Sequence, residues 1–191
     1  PAVPTPPQPP VEGRPGHLLR KGDTLDAQRY TVVRRLGTGT FATVFCAYDA
    51  RAAEYTAVKI QKAGHKYSQV ALDEVSLLQK CDEARAKLGG NRGGGTCAGD
   101  YVAKLHDHFE YEGALGRQVC MNLEMLGPSL LDVIKDHSYK GAPLGQVRAV
   151  ARHLLTGLDF LHRSCSIIHT DVKPENILMT VPGGGTAADP A

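Results

Sequence analysis

No run of eighteen or more apolar residues occurs in this 191-residue sequence, so no membrane-spanning helix is predicted. A basic start followed by an apolar stretch is also missing, so no secretory signal is visible. The five cysteines (Cys46, Cys81, Cys97, Cys120 and Cys165) are odd in number, widely scattered and without a C-x-x-C pair. That pattern argues against a disulfide framework or a zinc module, and fits a reducing interior. An excess of one charge is lacking too: the formal net charge is +2, a mixed-sign surface that calls for neither direct nucleic-acid contact nor an acidic membrane. No segment repeats, which sets aside solenoid folds. The first residue is Pro1 rather than methionine: either processing removed something, or the sequence is a fragment of a longer product.

What is present suffices for a core. The apolar fraction is 42% and the charged fraction 22%, in a length that holds one domain or one and a half. The opening PAVPTPPQPPVEGRPG is proline-rich and predicted to be disordered, either a linker or an SH3-type ligand. The closing VPGGGTAADPA is predicted to be flexible. The glycine-dense stretch 88–100 reads as an exposed loop rather than a phosphate cradle. Between these, residues 30–36, 43–49 and 55–61 are short runs rich in β-branched and aromatic residues, as in an antiparallel meander. A helix is expected from an N-cap at Ser68, with Val70, Leu77, Leu78 and Cys81 on its apolar face and Glu74 on the same side. Two more strands are expected near 101–109 and 118–126, then a strongly amphipathic helix over 146–162. The order gives an α+β fold: a small antiparallel sheet with one helix, then the start of a mainly helical unit.

The segment Gly37-Thr38-Gly39-Thr40-Phe41-Ala42-Thr43-Val44 fits G-x-G-x-x-small-x-V. Alone it is a weak signal, since two glycines in a turn often mean only a tight hairpin. A strand pattern follows it, whereas a dinucleotide-binding turn is followed by a helix. A glycine-rich hairpin laid over phosphates is the protein-kinase arrangement, with backbone N–H groups as donors. Leu36 and Val44 flank the turn, where they would cover an adenine. Ala57-Val58-Lys59 follows in the third strand. A lysine between apolar strand neighbours either faces solvent on an edge or needs a partner, because an unpaired buried ammonium is costly. Leu123-Glu124-Met125-Leu126-Gly127 reads as an apolar strand ending in a turn.

His169-Thr170-Asp171-Val172-Lys173-Pro174-Glu175-Asn176 is the most specific stretch, H-x-D-x-K-x-x-N directly after a long amphipathic helix. With the motifs upstream it resembles the catalytic loop of a protein kinase, and the resemblance narrows further. The segments GHLLRKGDTLDAQRYTVVRRLGTGTFATVFCAYD, AVKIQKAGHKYSQVALDEVSLLQ, VCMNLEMLGPSLLDVIK and GLDFLHRSCSIIHTDVKPENIL are similar to the SR-protein kinases, which phosphorylate serines in Arg-Ser repeats of splicing factors. HTD-x-KPENIL is shared with the LAMMER-type dual-specificity kinases; KAGHKYSQVALDE tips the choice.

The resemblance covers roughly residues 16–180, and it implies a role for each matching position. Gly37, Gly39, Lys59 and the adenine-flanking Leu36, Val44 and Ala57 would bind ATP. Glu74 would pair with Lys59, Leu123 would be the gatekeeper, and Glu124 and Leu126 would offer main-chain groups to adenine. Asp171 would orient the substrate hydroxyl and accept its proton, Lys173 would neutralise the transferring phosphoryl group, and Asn176 would ligate Mg2+. The implied layout is a tail over 1–16, an N-lobe and hinge over 17–127, the start of a C-lobe over 128–180 and a tail over 181–191. Cytoplasmic and nuclear localisation is implied; oligomeric state is not. In such kinases a D-F-G magnesium site, an A-P-E and further helices follow the catalytic loop, and none follows Leu178 here. The tail is then the start of a spacer or the end of a truncated gene model, and this chain alone is expected to turn over negligibly. The apolar face of 146–162 is expected to be left exposed. Thr170 replaces the arginine that receives an activation-loop phosphate in many kinases. The parent enzyme is therefore expected to be active without that phosphorylation; a parent inert until phosphorylated there would contradict this.

Overall fold

A computed structural model of the chain describes residues 19–88, 97–113 and 115–180. The proline-rich opening, most of the glycine-dense stretch and the closing tail lie outside these residues. The elements run β1 (Thr24–Leu25), β2 (Tyr30–Thr38), β3 (Ala42–Asp49), β4 (Glu54–Gln61), α1 (His65–Lys87), β5 (Leu105–Gly113), β6 (Gly116–Leu123), α2 (Leu130–Asp136) and α3 (Leu144–Asp159). Short 3-10 turns at Ala98–Tyr101 and Pro174–Asn176 and a π turn at Phe160–Ser164 complete the order. Among the described residues no helix is long and apolar enough to cross a membrane. They form two compact units, 19–72 with 107–122 and 73–106 with 123–180.

The first unit is built on a sheet of order β1-β2-β3-β4-β6-β5, whose β1–β2, β2–β3 and β3–β4 pairings are antiparallel. The three strands expected at 30–36, 43–49 and 55–61 are all present. Strand alternation sorts their side chains. Phe45, Ala47, Val58 and Ile60 face one side, where they join Leu25, Tyr30, Val32 and Cys120 in a buried core. Val44, Cys46, Ala57 and Lys59 face the other side, and the register pairs Val44 with Lys59 and Cys46 with Ala57. Full burial of each large apolar side chain in this core contributes roughly 1.5–3 kcal/mol.

Arg29 ties the sheet together at its end. Its Nε and Nη2 donate to Asp49 Oδ1 and Oδ2 at 3.2 and 2.9 Å, and Nη1 donates to Asp107 Oδ2 at 2.5 Å. The guanidinium carbon also lies 4.6 Å from the centre of the Tyr30 ring, which stacks on Phe109 at 5.2 Å. The Tyr30 hydroxyl accepts from Asn122 Nδ2 at 3.0 Å, and Asn122 in turn accepts from the Thr56 hydroxyl. Burial pushes the Tyr30 phenol up to about 12. For Asp49 burial pulls upward, but the Arg29 hydrogen bond and the N–H groups of Arg51 and Ala52 outweigh it and hold the carboxyl below its usual range.

Two expectations for α1 need correction. The helix begins at His65, not after Ser68. Gly64, at φ +123°, makes the break, and Ser68 lies inside the first turns with its hydroxyl donating back to Gly64 O at 3.3 Å. Its buried stripe is Ala71, Val75, Cys81 and Ala84, while Val70 and Leu77 are exposed.

In the second unit Cys81 and Ala84 pack with Phe160, Leu161 and Cys165. Arg85 donates to the carbonyls of Gly99 and Val102 at 3.0–3.1 Å, fixing the 3-10 turn where a strand from residue 101 was expected; β5 starts only at Leu105. Similarly β6 ends at Leu123, and 124–126 are irregular. α3 starts two residues earlier than predicted and passes at Phe160 into the π turn. Leu144, Val147 and Leu155 stand exposed on it, as the sequence led us to expect, Leu155 at 66%.

Asp49 is 3% exposed at its side chain and Arg29 20%, so removing one partner strands a buried charge. Arg29→Met should cost about 3 kcal/mol in urea unfolding. Because the folded-state pKa of Asp49 is depressed, its contribution is complete above the unfolded value near 3.9 and is lost as pH falls through the folded value. The wild-type unfolding midpoint should therefore drop below about pH 4, and Asp49→Asn should flatten that drop. An unchanged acid profile in Asp49→Asn would contradict the assignment.

Candidate active site

In the first unit the glycine turn connects β2 and β3. The register pairs Gly37 with Val44 and Thr38 with Thr43, and Gly39 N–H donates to Ala42 O at 2.8 Å to close the turn. Leu36 sits at the irregularity between Arg35 and Gly37. Neither Gly37 nor Gly39 has a left-handed φ. A Cβ on Gly37 would meet nothing within 4 Å, and one on Gly39 would lie 3.7 Å from Ala42 O. Among the described residues nothing therefore requires glycine at either place. A bare backbone there has its use in letting an outside group approach the amides, as a phosphate does. Val44, Ala57 and Lys59 project from the same sheet face by register, which makes that face a platform with an apolar part and a cation.

In the second unit the predicted Asp171, Lys173 and Asn176 are brought together in one loop. Lys173 Nζ lies 2.8 Å from Asp171 Oδ2, and Asn176 Nδ2 donates to Asp171 Oδ2 and to Asp171 O, both at 2.9 Å. The Asn176 N–H donates to Lys173 O at 2.9 Å within the 3-10 turn that Pro174 opens. The hydrogen bond from Lys173, then that from Asn176, holds the Asp171 carboxyl below its usual range, and Asp171 raises the Lys173 ammonium in return. Asp171 is therefore an ionised, weak base that can orient a hydroxyl and take its proton only as the proton becomes acidic. The Asn176 amide nitrogen is committed to Asp171, which leaves the amide oxygen as the group this side chain can offer a cation. That oxygen is a hard donor of the kind Mg2+ takes. Bound there, the ion would supply neutralisation of phosphate charge.

The loop exit is pinned to the segment after the predicted hinge. Gly127 N–H donates to Met179 O at 2.8 Å, Met179 N–H to Pro128 O at 2.9 Å and Leu130 N–H to Ile177 O at 2.7 Å. Ser129 and Leu178 form the bridge pair, and Ser129 with Asp132 caps α2 reciprocally. Glu124 N–H donates to Lys104 O at 3.1 Å, and Glu124 Oε1 accepts from Lys104 N–H at 2.9 Å. The Glu124 main chain thus has its carbonyl to offer a ligand. Leu126 lies in the irregular stretch between Glu124 and Gly127. Glu74 lies in α1, half-buried. It and Lys59 belong to different units, and each is placed only within its own. A groove of about 500 Å³ in the first unit, lined by Gly64, His65, Leu72, Leu115 and Val119 among others, includes none of the predicted site residues.

Sequence reasoning missed the backbone at Thr170. Asp171 N–H donates to His169 O at 2.9 Å across a central residue at φ +65°, which is a γ-turn, and the same N–H lies 3.3 Å from His169 Nδ1. A β-branched residue at positive φ is strained. The turn aims Asp171 toward Lys173 and Asn176.

With this geometry in view, known proteins give a consistent answer. The protein kinase domain family matches residues 95–184. The protein kinase dsk1 of Schizosaccharomyces pombe is 39% identical over 165 residues, covering 86% of this chain and 29% of its own length. The serine/threonine-protein kinase SKY1 of Saccharomyces cerevisiae is 41% identical over 170 residues, covering 88% of this chain and 22% of its own length. For human SRSF protein kinase 3 the figures are 40% over 165 residues, 86% and 28%. The chain thus spans 22–29% of the length of these three curated relatives. By sequence the chain is similar to serine/threonine-protein kinases, and residues 95–184 match the protein kinase domain. Within that class the likeness is to the SR-protein kinases, about 40% identical over most of this chain.

Thr170→Gly should relieve the γ-turn strain and raise unfolding stability by about 1 kcal/mol. Thr170→Val should give no gain. Equal stability of the glycine variant and wild type would show that the turn carries no strain.

Proposed function

We propose that this chain supplies the nucleotide platform and catalytic loop of an ATP- and Mg2+-dependent serine/threonine kinase acting on Arg-Ser-rich splicing factors. The observation that carries the reading is the pair of glycines for which the protein itself has no steric or conformational need, on the sheet face that also bears Lys59. In this reading Gly37, Gly39 and Lys59 hold the phosphates, and Leu36, Val44 and Ala57 cover the adenine. Glu124 and Leu126 offer it main-chain groups, and Glu74 is the partner of Lys59. Asp171 orients the substrate serine, Lys173 offsets charge on the transferring group and Asn176 holds the metal. The domain limits 17–127 and 128–180 and a cytoplasmic and nuclear location belong to the same proposal. The substrate class rests on the name of three relatives, the SRSF protein kinases 3 of human, mouse and pig.

A second reading, a kinase segment that binds nucleotide or partners without phosphoryl transfer, draws on the exposed Leu144, Val147 and Leu155 of α3, surface that a packed partner would bury. One experiment on the 191-residue chain tests both: Mg–ATP binding and Arg-Ser peptide phosphorylation, with Lys59→Ala, Asp171→Ala and Gly37→Ala variants. We expect nucleotide binding that weakens in Lys59→Ala and Gly37→Ala, with Gly37→Ala no less stable than wild type, and negligible turnover. Turnover lost in Asp171→Ala would show that the chain completes its own site, against the second reading. No binding in any form, by folded chain, would overturn both.

A further inference from the structure

Cys81, in the later turns of α1, and Cys165, which follows the π turn Phe160–Ser164, are packed into one apolar cluster with Ala84, Phe160 and Leu161. They are 2% and 1% exposed, and their thiols are hydrogen-bond neighbours. No role in nucleotide binding or phosphoryl transfer falls to either. Burial, and then the Cys165 thiol beside it, pushes the Cys81 thiol up, so in the closed cluster that sulfur stays protonated and slow to react. Once the cluster opens, the same closeness has the opposite effect. Whichever sulfur is oxidised first has a second thiol beside it, and cross-linking outpaces further oxidation.

We propose that Cys81 and Cys165 are a peroxide-dependent disulfide site that clamps α1 to the segment entering the catalytic loop. One thiolate attacks hydrogen peroxide; an S–O bond forms, the O–O bond breaks, and hydroxide leaves to become water. The second thiolate attacks the resulting sulfenic sulfur; the S–S bond forms and a second hydroxide leaves. Two thiols lose two electrons and two protons, and peroxide becomes two waters. The clamp bears on the loop because Cys165 leads to His169 through Ile167, whose N–H already donates to Leu161 O at 2.9 Å within the same cluster.

The test treats the full chain with hydrogen peroxide, in buffer and in urea below the unfolding transition, then blocks free thiols and maps disulfides by non-reducing mass spectrometry. The expected result is a Cys81–Cys165 peptide as the dominant cross-link, formed faster in mild urea and reversed by dithiothreitol, with a raised unfolding midpoint. In Cys165→Ala the cross-link should vanish and Cys81 should be trapped by dimedone as a sulfenic acid. Other pairings, sulfinic acid at both positions in the wild type, or two thiols that remain reduced while a thiol reagent labels both in urea would each overturn the proposal.

Discussion

A single guanidinium holds the working part of the first unit in register. Arg29 grips Asp49 with two hydrogen bonds and Asp107 with a third, which joins the start of β2 to the end of β3 and to β5. A one-residue slip of β3 would send Val44 to the core side and Phe45 to the platform side, because side chains alternate with a period of two. It would also take Asp49 out of the Arg29 fork and leave a charge buried without its partner. The hydrogen-bonded Tyr30, Asn122 and Thr56 extend the same lock to β4 and β6. The identity of the face that carries Ala57 and Lys59 thus depends on a polar cluster at the sheet's end.

The second unit solves a different problem. Its loop over 169–176 is short, exposed and rich in polar groups, so apolar packing cannot hold it. Three backbone hydrogen bonds between 127–130 and 177–179 pin its exit, the Ile167 bond pins its approach, and the γ-turn at Thr170 sets the direction of Asp171. Asp171 then sits between Lys173 and Asn176, and the electrostatics of that triangle keep it ionised. Strain at one residue and pairing at three others together keep the carboxylate oriented without burying it.

Much of this was legible in the sequence, for identifiable reasons. The three strands of the meander carry strong β-branched and aromatic runs, and H-x-D-x-K-x-x-N with its following KPENIL is specific enough to place Asp171, Lys173 and Asn176 in one loop. The stripe of α1 is poorly marked in sequence because bulky Val70 and Leu77 carry more apolar signal than the Ala71 and Val75 that are buried. Ser68 has the chemistry of a cap, but the break is set by the positive φ of Gly64, a backbone property. The Ser129–Asp132 capping box of α2 is written locally as S-x-x-D. Arg29, Asp49 and Asp107 carry no local signal, since their meeting is a product of strand pairing over long sequence separations.

The central claim is that the β2–β4 face with Gly37 and Gly39 receives the phosphates of a nucleotide. Titration of isotope-labelled chain with Mg2+ and a non-hydrolysable ATP analogue, followed by backbone amide chemical shifts, tests it most directly. The account predicts the largest shifts at Gly37, Gly39, Val44, Ala57 and Lys59, and their loss in Lys59→Ala. Saturable shifts confined to the groove around Leu72 and Leu115, or none at all in folded protein, would contradict it.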